Sequence, residues 1–542
     1  MKNSLLLIAG LLLKPCFSFA QKEANNWNFG WNGAITFANG SPAYVPGSQL
    51  VTSEGCASIS DSSGSLLFYT DGITVYNKNN AIMANGTGLL GNSDATQAAL
   101  IVKKPGSFTD YYIFAVTNEA HPDGITYSLV DMTLNAGLGG VTLKNQLLYT
   151  PSTEKLAATK HANGTDVWII THDWMSDAFR CFLLTSAGIQ PAVVSNAGMI
   201  HNGSTWNTNG YMKVSPDGKK IAVAVCHFIN KFELFNFDNA SGVVSYPVSF
   251  PTYAASIGAY GVEFSRDGSK LYGSMISPGT IYQFDLCAGK PGDIINSATI
   301  VATENVWICA LQLGPDGKIY ISRASTDSLG VINYPNSLGT ACSYDPNGVY
   351  VGNNTANLGL PNFESSIFSF VNYYGSCTND STRFYLKDTS NVDSVSWSFD
   401  DPASGINNTS NLYNPAHLFS NSAIYFVQLI RFGGGIASDT SHFCVEISPC
   451  KVSVEEVIKE LICTLSPNPG NGIFQITVKN IQADQTEMQL FDCTGKKVFD
   501  HSVFNPGTEL HAEINLSGLK AGIYFMEIST GTFHTYQKVI LY

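Results

Sequence analysis

The sequence predicts an all-β chain: a β-propeller of seven blades, or six, followed by two small β-sandwiches. Three observations carry this. An Asp-Gly turn flanked by apolar runs recurs at intervals of 50 and 49 residues, at Asp217, Asp267 and Asp316. The 49 glycines and 22 prolines are scattered rather than periodic, which means many tight turns and hence many short strands. The 542 residues exceed one compact domain, and 44% apolar with 12% aromatic residues supply ample core.

The repeat has a physical sense. In Val214-Ser215-Pro216-Asp217-Gly218-Lys219-Lys220-Ile221, and again around 267 and 316, one strand ends, the chain turns through a positive φ, and a second strand starts. Weaker members extend the series backwards to Asn163-Gly164, Pro105-Gly106 and Asp61-Ser62-Ser63-Gly64, placing glycines at 64, 106, 164, 218, 268 and 317. One hairpin per period of about fifty is the pattern of a propeller, whose sheets cannot bury their apolar faces alone and so stack around an axis. The remaining segments, Trp27 to Phe37 and Val331 to Val371, suffice for one more blade, with the N-terminal strand expected to complete the last sheet. An array of sandwiches explains the regular interval less well.

Residues 1–20 read as a signal peptide: Lys2, an apolar stretch from Leu5 to Leu13, and Ser18-Phe19-Ala20 before cleavage. The propeller is assigned to 21–376, a sandwich to 377–449, a linker to 450–463 and a last module to 464–542. In the first sandwich Val395, Trp397 and Phe399 alternate on one face, followed by the strand Ile424 to Ile430. The last module reads as strands Ile473 to Val478, Glu487 to Phe491, His511 to Ile514, Gly522 to Ile528 and Tyr536 to Leu541. No later apolar run is long enough for a transmembrane segment. Eleven cysteines follow the signal without a Cys-x-x-Cys pair, and Cys377–Cys444 is the expected disulfide.

Charged residues make up 13% of the chain, the net charge is −13, and only five of the 29 basic residues are arginine. A phosphate backbone would be repelled, so nucleic acid is excluded as a partner. No nucleophile elbow, zinc helix, phosphate loop or twelve-residue calcium loop is present; no cofactor is expected, and calcium at the Asp-rich loops is left open without a motif to support it.

Candidate binding residues come from loop aromatics and neighbouring polar groups. Trp174 follows His172-Asp173 just beyond a strand, and Trp206 lies in a polar stretch; indole rings there either stack on sugars and anchor a partner, or plug seams between blades. His172 and His227, from neighbouring blades, could approach the axis with a carboxylate, although no recognised metal-ligand spacing supports it. Two acid pairs, Glu119 with Asp123 around His121 and Asp173 with Asp177 around Trp174, have the residue types a glycosidase needs, but acids in tight turns cap those turns as well. The binding set is therefore Trp174, Trp206, His172, His227 and Asp173, with no catalytic or metal residue named.

Several segments resemble known families. Leu465-Ser466-Pro467-Asn468-Pro469, Leu490 to Lys496 with Gly495, Leu516-Ser517-Gly518-Leu519-Lys520-Ala521-Gly522-Ile523-Tyr524, and Lys538-Val539-Ile540 resemble the type A C-terminal sorting domain of the Bacteroidetes type IX secretion system. That resemblance implies export through Sec, then through the type IX machinery as partner, to release or attachment at the cell surface. Trp397-Ser398-Phe399-Asp400 and Asn414-Pro415-Ala416-His417-Leu418-Phe419 resemble a PKD domain, which implies an immunoglobulin-like sandwich, although the glycine expected before Asp400 is missing. The Ser-Pro-Asp-Gly turns resemble those of TolB-type propellers, and the stretch Glu54 to Asp61 resembles Bacteroidetes surface proteins. The functional expectation is a secreted or surface binding and adhesion protein recognising a carbohydrate or an envelope protein. The alternative is an extracellular hydrolase or lyase of polysaccharide or peptide, marked by a convergent acid pair in the axial mouth.

Overall fold

The computed structural model describes residues 22–542 except 254–256, 388, 390–391, 434–435, 450–461, 480, 482–484, 505–508 and 531–532. The expected signal peptide and most of the linker lie outside the described residues. The chain divides into two compact units, Met1–Cys450 and Lys451–Tyr542.

The first unit is an all-β, propeller-like body with a sandwich. Its sheets are antiparallel meanders in chain order. Asn26–Phe29, Gly33–Thr36 and Ala43–Tyr44 form the first. An eight-stranded sheet follows, made of the meanders Ala57–Ser60 to Ile82–Thr87 and Ala99–Lys103 to Gly140–Tyr149, joined by a single parallel pair, Gly140 with Ala84. A five-stranded sheet runs from Ser152–Lys160 to Val193–His201. Three four-stranded sheets start at Met212–Val214, Ile257–Phe264 and Ile308–Leu313.

The repeated glycines all occupy one corner, the hairpin between the first and second strands of a meander. Gly64, Gly106, Gly164, Gly218, Gly268 and Gly317 have φ between 73° and 92°. In the best-formed copy Gly218 N–H donates to Ser215 O at 2.8 Å, while Asp217 Oδ1 accepts from Ser215 Oγ at 2.6 Å and Lys219 N–H at 3.1 Å. Pro216 presets the turn, Asp217 ties it with its side chain, and Gly218 takes the left-handed position that a Cβ disfavours.

The inner strands are buried on both faces. Ile221, Ala222, Val223, Ala224 and Val225 are all fully buried, because neighbouring sheets cover each side. Between the last three meanders the core also holds a buried ion pair, Lys213 Nζ to Glu263 Oε2 at 3.5 Å, with Leu313 N–H on the same oxygen.

Closure differs from expectation. The N-terminal strand does not complete the last sheet: Asn26–Phe29 pairs with Gly33–Thr36, and Ser328–Ile332 pairs with its own fourth strand, Tyr344–Tyr350. Residues 331–350, read as material for an extra blade, complete the meander that starts at Ile308. The first and last sheets meet through aromatic packing instead. Trp27 lies 5.4 Å from Tyr320, Phe37 packs edge-on against the same ring, and Trp31 bridges Thr355.

Val371–Tyr374, Thr382–Leu386 and Ala416–His417 form one sheet of the sandwich; Thr409–Ser410, Ser394–Ser398, Ile424–Gly433 and Ile436–Glu446 form the other. Val395, Trp397 and Phe399 point into its core as their alternation requires. This sandwich rests on the glycine-turn corners: Lys219 Nζ sits over the Tyr373 ring and Asp267 Oδ2 accepts from His442 N–H at 3.1 Å. The disulfide expectation is corrected here, since Cys444 bonds to Cys287 of the propeller-like body and not to Cys377. Sequence proximity favoured a pair bracketing the sandwich, whereas docking brings Cys287 within 5.6 Å (Cα–Cα).

The second unit pairs Ile462–Ser466, Ile473–Lys479 and Glu509–Asn515 in one sheet, and Lys497–Phe504, Gln485–Phe491, Gly522–Thr530 and Phe533–Leu541 in the other. It has its own core around Phe474, Met488, Leu490, Met526 and Val539.

Candidate functional site

The ends of the inner strands opposite the glycine turns hold a polar cluster. Glu154 stands in Ser152–Lys160, a strand whose residues are buried up to Thr159. Its Oε2 accepts from Thr96 N–H and Thr96 Oγ1, both at 2.8 Å, and its Oε1 accepts from Glu119 N–H at 2.9 Å and Thr208 Oγ1 at 3.1 Å. Burial raises the pKa of this carboxyl, while the hydrogen bonds from Glu119 and Thr96 and the Lys155 charge pull it back. Next to it, Lys155 Nζ donates to Thr208 O at 2.9 Å and Asn209 O at 3.2 Å; burial lowers it to about 7, against the pull of Glu154.

Glu54 completes the inner layer. A Cβ on the next residue, Gly55, would lie 2.1 Å from Ala98 N, so only glycine permits the close approach that brings Glu54 in. Burial raises its pKa well above the ordinary carboxyl value, with the charges of Glu154 and Asp94 adding to it. Glu54 Oε2 and the hydroxyls of Tyr211 and Tyr260 are buried and make no well-formed hydrogen bond among the described residues.

The outer layer is accessible. Asp94 and Glu119 are exposed carboxyls on loops tied together by Asn92 Nδ2 donating to Asn118 Oδ1 at 2.8 Å. Asp94 titrates above its ordinary value, through partial burial and then the charge of Glu119. Glu119 Oε2 accepts from Thr205 Oγ1 at 3.0 Å. The short helix Thr205–Thr208 thus carries Trp206 directly beside the acids. Trp206 lies 5.1 Å from His227 and stacks nearly parallel with Phe228, at 6.4 Å between ring centroids and 13° between planes. Trp206 is 48% exposed and Phe228 72% exposed, so the two rings form an open platform. Backbone strain gathers here too: Glu119, Ala120, His227 and Asn230 have φ between 50° and 56°. Non-glycine residues held in that region concentrate at functional sites.

The five sequence candidates divide into two groups. Trp206 and His227 meet at this mouth. His172 and Asp173 end the strand that pairs with the start of Ser152–Lys160, with Trp174 just beyond it, behind Lys155 and away from the Trp206 platform: Thr153 Oγ1 donates to His172 O at 3.0 Å, His172 is buried and stacks on His201 at 3.8 Å, and burial, then the Lys155 charge, lower its pKa to about 3. Asp173 is paired with Arg180 at 2.8 Å, and Trp174 is half-buried. Of the acids weighed in pairs, Glu119 is at the mouth, Asp123 contacts His121 at 3.3 Å, and Asp177 accepts from Asn196. Glu54, Asp94, Glu154, Lys155, Tyr211 and Tyr260 were not foreseen. The signal available was Glu154-Lys155 interrupting what should be an apolar inner strand. Among the described residues no three His, Cys, Asp or Glu side chains converge as a metal site.

Comparison with known proteins identifies the second unit. Residues 464–542 match the secretion system C-terminal sorting domain. The signature residues shape its fold: Asn468, between Pro467 and Pro469, donates to Lys538 O at 2.6 Å and accepts from Ile540 N–H, pinning that turn to the last strand. Gly495 takes φ 81° in the turn capped by Asp492, Leu519 N–H donates to Leu516 O next to Gly518, and Tyr524, in the strand opened by Gly522, donates its hydroxyl to Lys520 O. The chain is an exported protein, secreted or held at the cell surface through the Sec and type IX route, and no helix among the described residues is long and apolar enough to cross a membrane.

No curated protein matches the chain. Solved structures similar to it include a protein from Lactobacillus plantarum (14% identity, TM-score 0.40, covering 62% of this chain and 98% of that one). A putative 6-phosphogluconolactonase from Bacteroides uniformis (16%, 0.33, 70% and 98%) and the periplasmic gluconolactonase of Pseudomonas aeruginosa (14%, 0.33, 75% and 100%) are others.

Proposed function

We propose that this is an exported hydrolase or lyase of polysaccharide or peptide, working at the axial mouth of a seven-bladed propeller over residues 21–376. Seven meanders, counting the two halves of the eight-stranded sheet separately, support the blade number. Residues 377–449, extended by Val371–Tyr374, are assigned as a PKD-like immunoglobulin sandwich of a Bacteroidetes protein, on the strength of Trp397 and His417 in its core.

The observation that carries the enzymatic reading is the acid pair Asp94 and Glu119 beside the open Trp206–Phe228 platform. Partial burial, and then the Glu119 charge, raise the Asp94 carboxyl above its ordinary value and so favour its protonated form, the direction a proton donor needs. Asp94 serves as proton donor to the leaving group, Glu119 as base or nucleophile, and the aromatic platform positions the substrate. The inner layer, Glu154 above all, holds the Glu119 loop through its backbone N–H.

Incubating the mature protein with a panel of glycans and peptides, and recording both retention and product release, tests this. Product release that falls by about 10²- to 10⁴-fold in Asp94→Asn is expected. Retention with no product from any substrate would replace it with the second reading, a surface binding and adhesion protein for carbohydrate or an envelope protein, which the same platform supports.

A further inference from the structure

We propose that the axial mouth selects glycans without anionic groups, and that uronate-bearing or sulfated chains are excluded from it. This rests on the reading of the mouth as the substrate site and adds its substrate class. Two independent features support it.

The first is charge. Four carboxyl side chains gather here: Glu54 senses Glu154 and Asp94, and Asp94 senses Glu119. His227, on the platform, senses Glu119 as well. The nearby cation, Lys155, is fully buried and already directs its ammonium at Thr208 O and Asn209 O. An incoming carboxylate or sulfate would meet the Asp94 and Glu119 carboxyls at the exposed mouth, and each of them that is ionised repels it.

The second is the hydrogen-bonding character of the floor. Glu54 Oε2 and the hydroxyls of Tyr211 and Tyr260 make no well-formed hydrogen bond among the described residues, Tyr260 standing nearest Glu54 and Tyr211 nearest the Leu360 backbone, in residues 5%, 1% and 1% exposed. A hydroxyl group both donates and accepts, and so complements a carboxyl and two phenols at once, directly or through a water it holds in place. Trp206 and Phe228 supply exposed apolar ring surface on which a sugar ring packs, Trp206 from the short helix whose Thr208 donates to Glu154. A pyranose ring presents a C–H face for those rings and hydroxyls for the polar groups on one small unit, and the proposal therefore commits to the glycan arm of the proposed function.

The test measures retention of three oligosaccharide series of equal length on the full mature protein: neutral, uronate-containing and sulfated. Neutral chains are expected to bind at least tenfold more tightly than either anionic series at low salt. In Glu119→Gln, removal of one mouth charge is expected to narrow the ratio of neutral to anionic binding by several-fold, whatever the variant does to binding of the neutral series itself. Trp206→Ala should weaken the neutral series about tenfold without restoring the anionic ones. Equal or tighter binding of the anionic series overturns the inference and leaves the glycan-site reading standing. Absence of binding by all three series, with peptides retained instead, overturns both.

Discussion

Asp94 and Glu119 make a pH-dependent pair whose sign follows from the geometry. Asp94 titrates above 3.8 because of partial burial first and Glu119 second. Its protonated form is therefore available above the pH at which a free aspartate ionises, and turnover that needs it declines on the alkaline side as pH rises through the raised value. Neutralising Glu119 removes the second cause, so Asp94 should ionise at lower pH in Glu119→Gln; a carboxyl NMR titration of Asp94 checks this, and an upward or absent displacement would contradict the pairing. The same linkage bears on stability. A carboxyl raised in the folded state contributes most below its unfolded value and progressively less as pH rises through the folded one. Glu54, Glu154 and Glu263 all move in this direction, so stability should fall as pH rises from about 4.5, and Glu54→Gln should flatten that decline in urea melts. At this scale little of the mouth was legible beforehand. Trp206 and His227 stood out as a loop aromatic and a strand-end imidazole, but Glu54 and Glu154 come from sequence positions a hundred residues apart, and only the ring of sheets brings them together.

At the scale of the element, the six glycine turns were legible because a tight hairpin demands specific residues at specific offsets, whatever surrounds it. Their surroundings nonetheless make them unequal. Gly218 and Gly268 share a φ of +73°, but a Cβ at Gly218 would lie 2.9 Å from Asn239 Nδ2 and 3.1 Å from Thr159 Oγ1, whereas at Gly268 nothing lies within 4 Å. Gly268→Ala should thus cost only the backbone term, about 1–2 kcal/mol, and Gly218→Ala more than that by denaturant melts. Equal losses would mean that the neighbours yield freely. The buried pair Lys213–Glu263 gives a harsher expectation: Lys213→Met strands a carboxyl among the inner strands and should destabilise by about 3–5 kcal/mol, with partial recovery in the double variant Lys213→Met, Glu263→Leu. What the pattern of turns did not reveal was how the ring closes, since Trp27 against Tyr320 is a contact of side chains nearly three hundred residues apart and leaves no local periodicity. The strand Lys497–Phe504 escaped notice for a different reason: most of its residues face solvent, so its composition lacks the apolar alternation that betrays a half-buried strand.

For the whole molecule, the division of labour follows from separate cores. The sorting domain was readable from its sequence because its signature residues each make a local structural contact, Asn468 with the last strand and Gly495 in its turn. Its core of Phe474, Met488, Leu490, Met526 and Val539 is internal to Lys451–Tyr542, and the body before it has its own hydrophobic clusters. Neither unit should need the other to fold, since each buries its apolar faces within itself. A chain ending at residue 450 is therefore expected to keep the melting transition and the mouth activity of the body, while losing release or display outside the outer membrane and accumulating inside the cell envelope. A finer version replaces Asn468 alone: Asn468→Ala removes both hydrogen bonds that hold the Pro467–Pro469 turn on the last strand, leaves the core untouched, and should reduce export in proportion to how far that turn is part of the address. Fractionating cells that express each variant separates the outcomes. Normal surface display of the truncated chain would show that the address lies in the body, and a truncated body that fails to fold would show that the two cores are not independent.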